Sequence, residues 1–170
     1  MEILISWLVK RKLLKIKQIQ AVDCYPIRQQ ILWQHKKLED CGIDIDEQEG
    51  AFHLGVFLKD ELVCIGSFFK QNHAQFSEHN QYRLRAMATL TKAQKQGAAK
   101  ALLYFAFERL QNQNQEILWC DARVIAHGFY EKMGFTKKGK IYEIPLIGPH
   151  YLMWKSVKRK MNSYNVSREI

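Results

Sequence analysis

A chain of 170 residues, 47% hydrophobic, is long enough to bury a full core and fits one globular domain over residues 1–170. Its formal net charge of +9 and pI near 9.4 suit an anionic ligand, a nucleic acid or a merely basic surface; part of the excess sits at the ends, in Lys10-Arg11-Lys12 and residues 155–160, so charge alone decides little. The four cysteines, Cys24, Cys41, Cys64 and Cys120, are widely separated and form no Cys-x-x-Cys pair, which speaks against a zinc site or a disulfide framework and makes a reduced, cytoplasmic setting the default.

The N-terminus carries an apolar run, Ile3 to Val9, with Glu2 where a signal peptide wants positive charge. It is too short to span a bilayer and reads as a terminal extension or docking tail, with residues 1–12 and 158–170 flanking a core of about 13–157. Lys15 to Gln20 predicts a first strand, and Asp23 a helix cap, with Pro26 in the first turn and Ile27, Ile31 and Leu32 facing inward as far as about Gln34. Arg28 on this helix is a candidate for holding a substrate carboxylate, against the ordinary reading of a surface arginine. Residues 35–50 read as a solvated acidic loop. Their carboxylates resemble a calcium loop only superficially, because Gly and Glu do not fall at the required positions.

Phe52–Leu58 and Leu62–Phe69 are nearly unbroken apolar runs around Lys59-Asp60-Glu61, the pattern of a hairpin covered on both faces. After a polar stretch, Gln71 to Gln81, the alternation of Tyr82, Leu84, Ala86, Ala88 and Leu90 against Arg83, Arg85, Met87 and Thr89 predicts a strand. The period then changes: Ala98, Ala101, Leu102, Phe105 and Leu110 recur at helical spacing, so a helix opens at Gln96-Gly97-Ala98-Ala99. Its first turn offers backbone N–H groups without intrahelical partners at the positive end of the helix dipole, where phosphate is the natural guest and Lys95 and Lys100 add charge. Neither a P-loop nor a Gly-x-Gly-x-x-Gly stands here, so an ordinary strand-to-helix connection is the alternative on spacing alone. Glu116–Asp121 predicts another buried strand, Ile125–Met133 a short helix stopped by Gly134, and Phe135–Ile144 and Tyr151–Val157 the last strands, which makes the chain a mixed α/β fold.

Two stretches taken together resemble the GCN5-related N-acetyltransferase (GNAT) superfamily. Gln94-Lys-Gln-Gly97-Ala-Ala99, preceded by Met87-Ala88-Thr89, is similar to its acetyl-CoA motif. Ala126-His-Gly-Phe129-Tyr130-Glu-Lys-Met-Gly134-Phe135 is similar to the motif that follows. Leu118-Trp-Cys-Asp-Ala-Arg123 and Glu143 to His150 look like those of a small bacterial group of acyltransferases of unassigned substrate. The resemblance covers roughly residues 13–157 and implies a central, mostly antiparallel sheet with a splayed strand pair, flanked by helices. It further implies acetyl-CoA as cosubstrate without a metal, and transfer of the acetyl group to a primary amine of a small molecule or protein by direct attack. A homodimer is an open assembly.

On that resemblance Met87, Ala88, Thr89, Gln94, Lys95, Gln96, Gly97, Ala98, Ala99, Lys100, Phe129 and Tyr130 bind the cosubstrate. Arg123 stands where many relatives carry an Asn that contacts CoA, which leaves that contact open. A backbone N–H at Met87 to Thr89 would polarise the carbonyl, and Tyr130 is the expected general acid for the departing thiolate, against the reading of an aromatic filling the core. The base is open among Asp121, which alternatively pairs with Arg123, Glu143 and His150; an imidazole is matched to neutral pH by its ordinary pKa of about 6.5. The competing functions are a noncatalytic CoA-binding sensor and, third, a basic nucleic-acid binder. Against the latter, Phe52, Phe57, Phe68, Phe69 and Trp119 lie in apolar runs that read as core.

Overall fold

The computed structural model describes residues 14–159, so the apolar N-terminal run and the end of the C-terminal extension lie outside the described residues. Its strands are β1 (Leu14–Ile19), β2 (Phe52–Leu58), β3 (Glu61–Lys70), β4 (Gln81–Thr89), β5 (Ile117–Arg123), β6 (Thr136–Ile144) and β7 (Gly148–Ser156), joined in one sheet of order β1-β2-β3-β4-β5-β7-β6. Every neighbouring pair is antiparallel except β4 and β5. A parallel pair needs a crossover, and α2 (Ala98–Asn112) supplies it. The result is the expected mixed α/β architecture. No helix among the described residues is long and apolar enough to cross a membrane.

The core forms where the apolar runs predict it. Phe52, Leu54, Val56, Ile65, Phe68 and Phe69 are buried, and α2 lays Ala98, Ala101, Leu102, Leu103, Ala106, Phe107 and Leu110 against β1 to β4. Alanines on that face let the helix approach the sheet, while each fully buried leucine contributes about 1.5–3 kcal/mol. Lys59 and Asp60, both at positive φ, make the two-residue turn between β2 and β3, and Glu61 belongs to β3 rather than to the turn. The four cysteines are free and buried, and burial pushes every thiol up, so they behave as small apolar side chains.

The first helical segment departs from its expected form. It begins as a 3₁₀ turn at Ala21–Cys24, passes through α1 (Tyr25–Ile27) and ends as a π turn at Arg28–Leu32, closed by Trp33 N–H donating to the Arg28 carbonyl at 2.9 Å. Asp23 caps from inside the turn, its carboxylate accepting the Gln20 N–H at 2.9 Å.

Arg28 is neither a surface residue nor a substrate-binding one. It is 0% exposed and donates to both carboxylate oxygens of Asp46 at 2.6 and 2.8 Å, to the Cys41 carbonyl at 3.0 Å and to Ser67 Oγ at 2.8 Å. Ser67 in turn lies 2.9 Å from His53 Nδ1, and His53 Nε2 lies 3.0 Å from the Asp46 carbonyl. Burial alone would raise the Asp46 carboxyl, but the Arg28 hydrogen bonds, the Ile43 N–H and the Arg28 charge outweigh it and hold the group below its ordinary value. The 35–50 loop, irregular apart from a 3₁₀ turn at Leu38–Asp40, is therefore pinned to the sheet through Asp46 instead of being solvated throughout.

Candidate active site

β4 and β5 pair only from Gln81↔Ile117 to Arg83↔Trp119, and beyond that point the two strands part. On the β3 side, Ser67 faces Arg85 and Ile65 faces Ala88, so two residue steps of β3 oppose three of β4. The extra residue is a bulge at Ala86, whose φ of +48° breaks the alternation that Tyr82, Leu84, Ala88 and Leu90 otherwise keep by pointing inward. Ala86 and Met87 consequently stand outside the register of both neighbouring strands. The opening between β4 and β5 is a cleft with two halves.

The larger half, about 800 Å³, is lined by Met87, Ala88, Thr89, Gln94, Lys95, Gly97, Ala98, Ala99, Lys100, Arg123, Phe129 and Tyr130 among others. These are all the residues expected to bind the cosubstrate except Gln96, whose side chain turns away to donate to the Lys92 carbonyl at 2.7 Å. Gly97 is the N-cap of α2 at φ +89°, a conformation that L side chains rarely adopt, and a Cβ built there meets nothing within 4 Å. The space in front of the first-turn amides is thus open. A cleft of this size, ending at free N–H groups and flanked by two lysines, fits a long ligand with a diphosphate.

The smaller half, about 260 Å³, lies on the other side of Tyr130 and Met87 and is lined by Leu32, Trp33, Arg83, Arg85, Asp121, Arg123, Ile144, Ile147 and His150 among others. Asp121 does not pair with Arg123. Its carboxylate accepts from Arg83 Nη2 and from the Tyr142 hydroxyl, and Arg83 also donates to Gln71 Oε1 at 3.1 Å and lies 4.8 Å from the Trp119 ring centroid. Burial and the Asp121 hydrogen bond push the Tyr142 phenol up. β7 begins at Gly148, three residues before the expected Tyr151, which places His150 in the sheet opposite Arg123 and Tyr142. His150 is 3% exposed, and its Nδ1 lies 2.7 Å from the Gly148 carbonyl. A carbonyl only accepts, so Nδ1 carries the proton and the neutral ring keeps its lone pair on Nε2. Glu143 is exposed and not in the cleft.

Tyr130 lines both halves. It is 8% exposed, its hydroxyl points at Met87 Sδ at 3.8 Å, and burial pushes the phenol well above its ordinary value, with Cys120 and Cys64 adding to the effect. Its ring meets Phe129 and Phe135 edge-on, so α3 (His127–Lys132) holds it by packing while the hydroxyl reaches the junction. Sequence reasoning did not single out Arg83, Arg85, Trp33 or Tyr142 for the site. The one signal for the arginines was their position on the polar side of the β4 alternation, beside Met87 and Thr89.

A model of the acetyltransferase (GNAT) family matches residues 13–135. YitI, an uncharacterized N-acetyltransferase of Bacillus subtilis (strain 168), is 38% identical over 146 residues, 86% of this chain and 98% of that protein. Among solved structures, the ribosomal-protein-S18-alanine N-acetyltransferase from Escherichia coli superposes with a TM-score of 0.67 at 18% identity, over 91% of this chain and 99% of that one. An aminoglycoside 6′-N-acetyltransferase complexed with coenzyme A superposes at 0.69 with 12% identity, over 86% and 99%. These two structures share the fold with this chain, and the acceptors in their names differ from each other.

Proposed function

The chain belongs to the acetyltransferase (GNAT) family and is an acyl-CoA-dependent N-acetyltransferase, and from that premise we propose that it moves the acetyl group of acetyl-CoA to a primary amine by direct attack across the β4–β5 wedge. One observation carries the reading: Tyr130 stands at the junction of the two halves of the cleft, with its hydroxyl beside Met87. The first-turn amides of α2, with Lys95 and Lys100, hold the diphosphate; Met87 to Thr89 of β4 hold the pantetheine arm. When bound, the cosubstrate supplies a thioester whose carbonyl carbon accepts the amine.

The protein's own groups move the protons. Burial keeps the Tyr130 phenol protonated at neutral pH, so its proton is available to the sulfur of the departing thiolate, and the phenolate left behind takes a proton back from solvent once the cleft reopens. The Met87 N–H, outside the register of β3 and β5, donates to the carbonyl oxygen as charge builds there. His150 Nε2 takes the proton of the attacking amine directly or through one water. Asp121 has its oxygens committed to Arg83 and Tyr142, and so acts by positioning the Tyr142 ring, whose centroid is 6.3 Å from that of His150.

Incubation of the protein with acetyl-CoA and a panel of primary amines, following free thiol and product mass together, tests this. Acetylated amine should appear in step with thiol. Thiol released without an acetylated amine would contradict direct transfer to the amine.

A further inference from the structure

Three arginines line the smaller half of the cleft, and their surroundings differ. Arg83 is paired with Asp121, donates to Gln71 and lies against the Trp119 face, with only its Nε left unpartnered. Arg123 lines both halves and stands on the cosubstrate side as well. Arg85, half-buried on β4, has a side chain that makes no hydrogen bond or ion pair with the described residues. The lining holds a single carboxylate, Asp121, and Arg83 consumes it, so Arg85 and Arg123 remain as uncompensated cations facing the space that the acceptor enters. Burial lowers the proton affinity of the Arg85 guanidinium and Arg83 lowers it further, while Asp121 and Asp44 offset only part of the effect. A charge taken partly out of water and left unpaired is costly, whereas the fully buried Arg28 is paired with Asp46 and has both terminal nitrogens hydrogen-bonded, leaving only Nε without a partner.

We propose that the acceptor is a small amine bearing an anionic group, a carboxylate or a phosphate, and that Arg85 holds this group by a forked, charge-assisted pair in the smaller half of the cleft. The proposal rests on the transferase reading above and specifies its substrate class. The planar fork of a guanidinium matches both anions. A space of about 260 Å³ walled by Leu32, Trp33, Ile144 and Ile147 takes a molecule of amino-acid size with an apolar body. The positive surroundings also serve the chemistry: like charges disfavour an ammonium, so an amine delivered here is more readily neutral and nucleophilic. The anion supplies the attraction that a bare ammonium would lack.

The test uses paired acceptors that differ in the anion alone, with kcat/KM read by thiol release from acetyl-CoA: each common amino acid against its amide, and 2-aminoethyl phosphate against ethanolamine. Amino-acid amides have the less basic amine and hence more neutral nucleophile, so the comparison is weighted against the proposal. The anionic member of at least one pair should be preferred by about 10- to 100-fold, the usual scale of a hydrogen bond to a charged group. The pair with the larger ratio identifies the anion. In Arg85→Gln the ratio should fall toward one, and in Arg85→Lys it should recover in part, with calorimetric CoA affinity retained as the sign of a folded protein; if Arg85→Gln fails to bind CoA, Arg85→Lys alone must lower the ratio. Equal use of both members, or a preference that survives in Arg85→Gln, overturns the proposal. If no member of any pair is acetylated while another amine of the broader panel is, the anion subsite falls and the transferase reading stands.

Discussion

In the half of the cleft proposed to hold CoA, about half of the lining comes from one continuous stretch, Met87 to Lys100, and much of what that stretch offers is main chain: the bulged strand, the left-handed Gly97 and the first turn of α2. In the half proposed for the acceptor the groups are side chains from far-apart elements, Leu32 at the end of the π turn and Trp33 just after it, Arg83 and Arg85 on β4, Asp121 on β5, Ile147 between β6 and β7, and His150 on β7. Backbone recognition needs small residues at fixed spacing and so leaves a motif. A side-chain pocket needs only that the fold bring its walls together, and it leaves none.

The largest expected effect falls on the backbone side. Gly97→Glu forces an L residue into φ +89° and sets a carboxylate where the diphosphate would lie, and calorimetry should find no detectable CoA binding in a protein that is still folded. Unchanged affinity would mean that the helix start is not the diphosphate site, and the contrast between the halves would lose its basis.

Next comes the support of the acceptor wall. Arg28→Met leaves the Asp46 carboxylate buried without its partner and should cost about 3–5 kcal/mol in denaturant unfolding. It should also raise KM for the amine more than KM for acetyl-CoA, because Arg28 opens the π turn that leads to Leu32 and Trp33. Equal effects on both would show that the two halves are not supported separately.

The acceptor half is sharpened by pH. If His150 takes the amine proton, the acidic limb of the kcat/KM profile should vanish in His150→Gln and persist in Asp121→Asn. A limb that survives in His150→Gln and is lost in Asp121→Asn would give the role to Asp121.

The smallest effect concerns stability in acid. Asp46 is held below its ordinary value in the folded state, so it contributes stability that is present above the unfolded value of 3.8 and lost as pH falls through the lower folded one. Asp46→Asn should flatten the loss of stability in that window, measured by thermal unfolding at stepped pH. An unaltered slope would remove Asp46 from the account.

Much of the fold could be read from sequence because β2, β3 and β4 declare themselves by apolar runs and alternation, and α2 by its change of period. What could not be read has physical reasons. Helical spacing puts Arg28 on the same face as Ile27, Ile31 and Leu32, but a guanidinium reads as a surface group, and only the long-range pairing with Asp46 and Ser67 accounts for its burial. The bulge at Ala86 leaves no compositional trace, since the alternation reads Ala86 as one more residue on the side of Tyr82, Leu84, Ala88 and Leu90. Asp121 was set against Arg123, its neighbour in sequence, but pairs with Arg83 because β4 and β5 run side by side just there. His150 is legible as a candidate base, but the last strand, expected from Tyr151, begins at Gly148 and so includes it.

The central claim is that chemistry happens at the junction of the two halves, on Tyr130, and Tyr130→Phe tests it most directly because the ring and its packing stay while only the hydroxyl is lost. With CoA affinity by calorimetry measured alongside steady-state rates, kcat should fall roughly 10²- to 10⁴-fold at nearly constant CoA affinity. An unchanged kcat would return Tyr130 to the core and contradict the account.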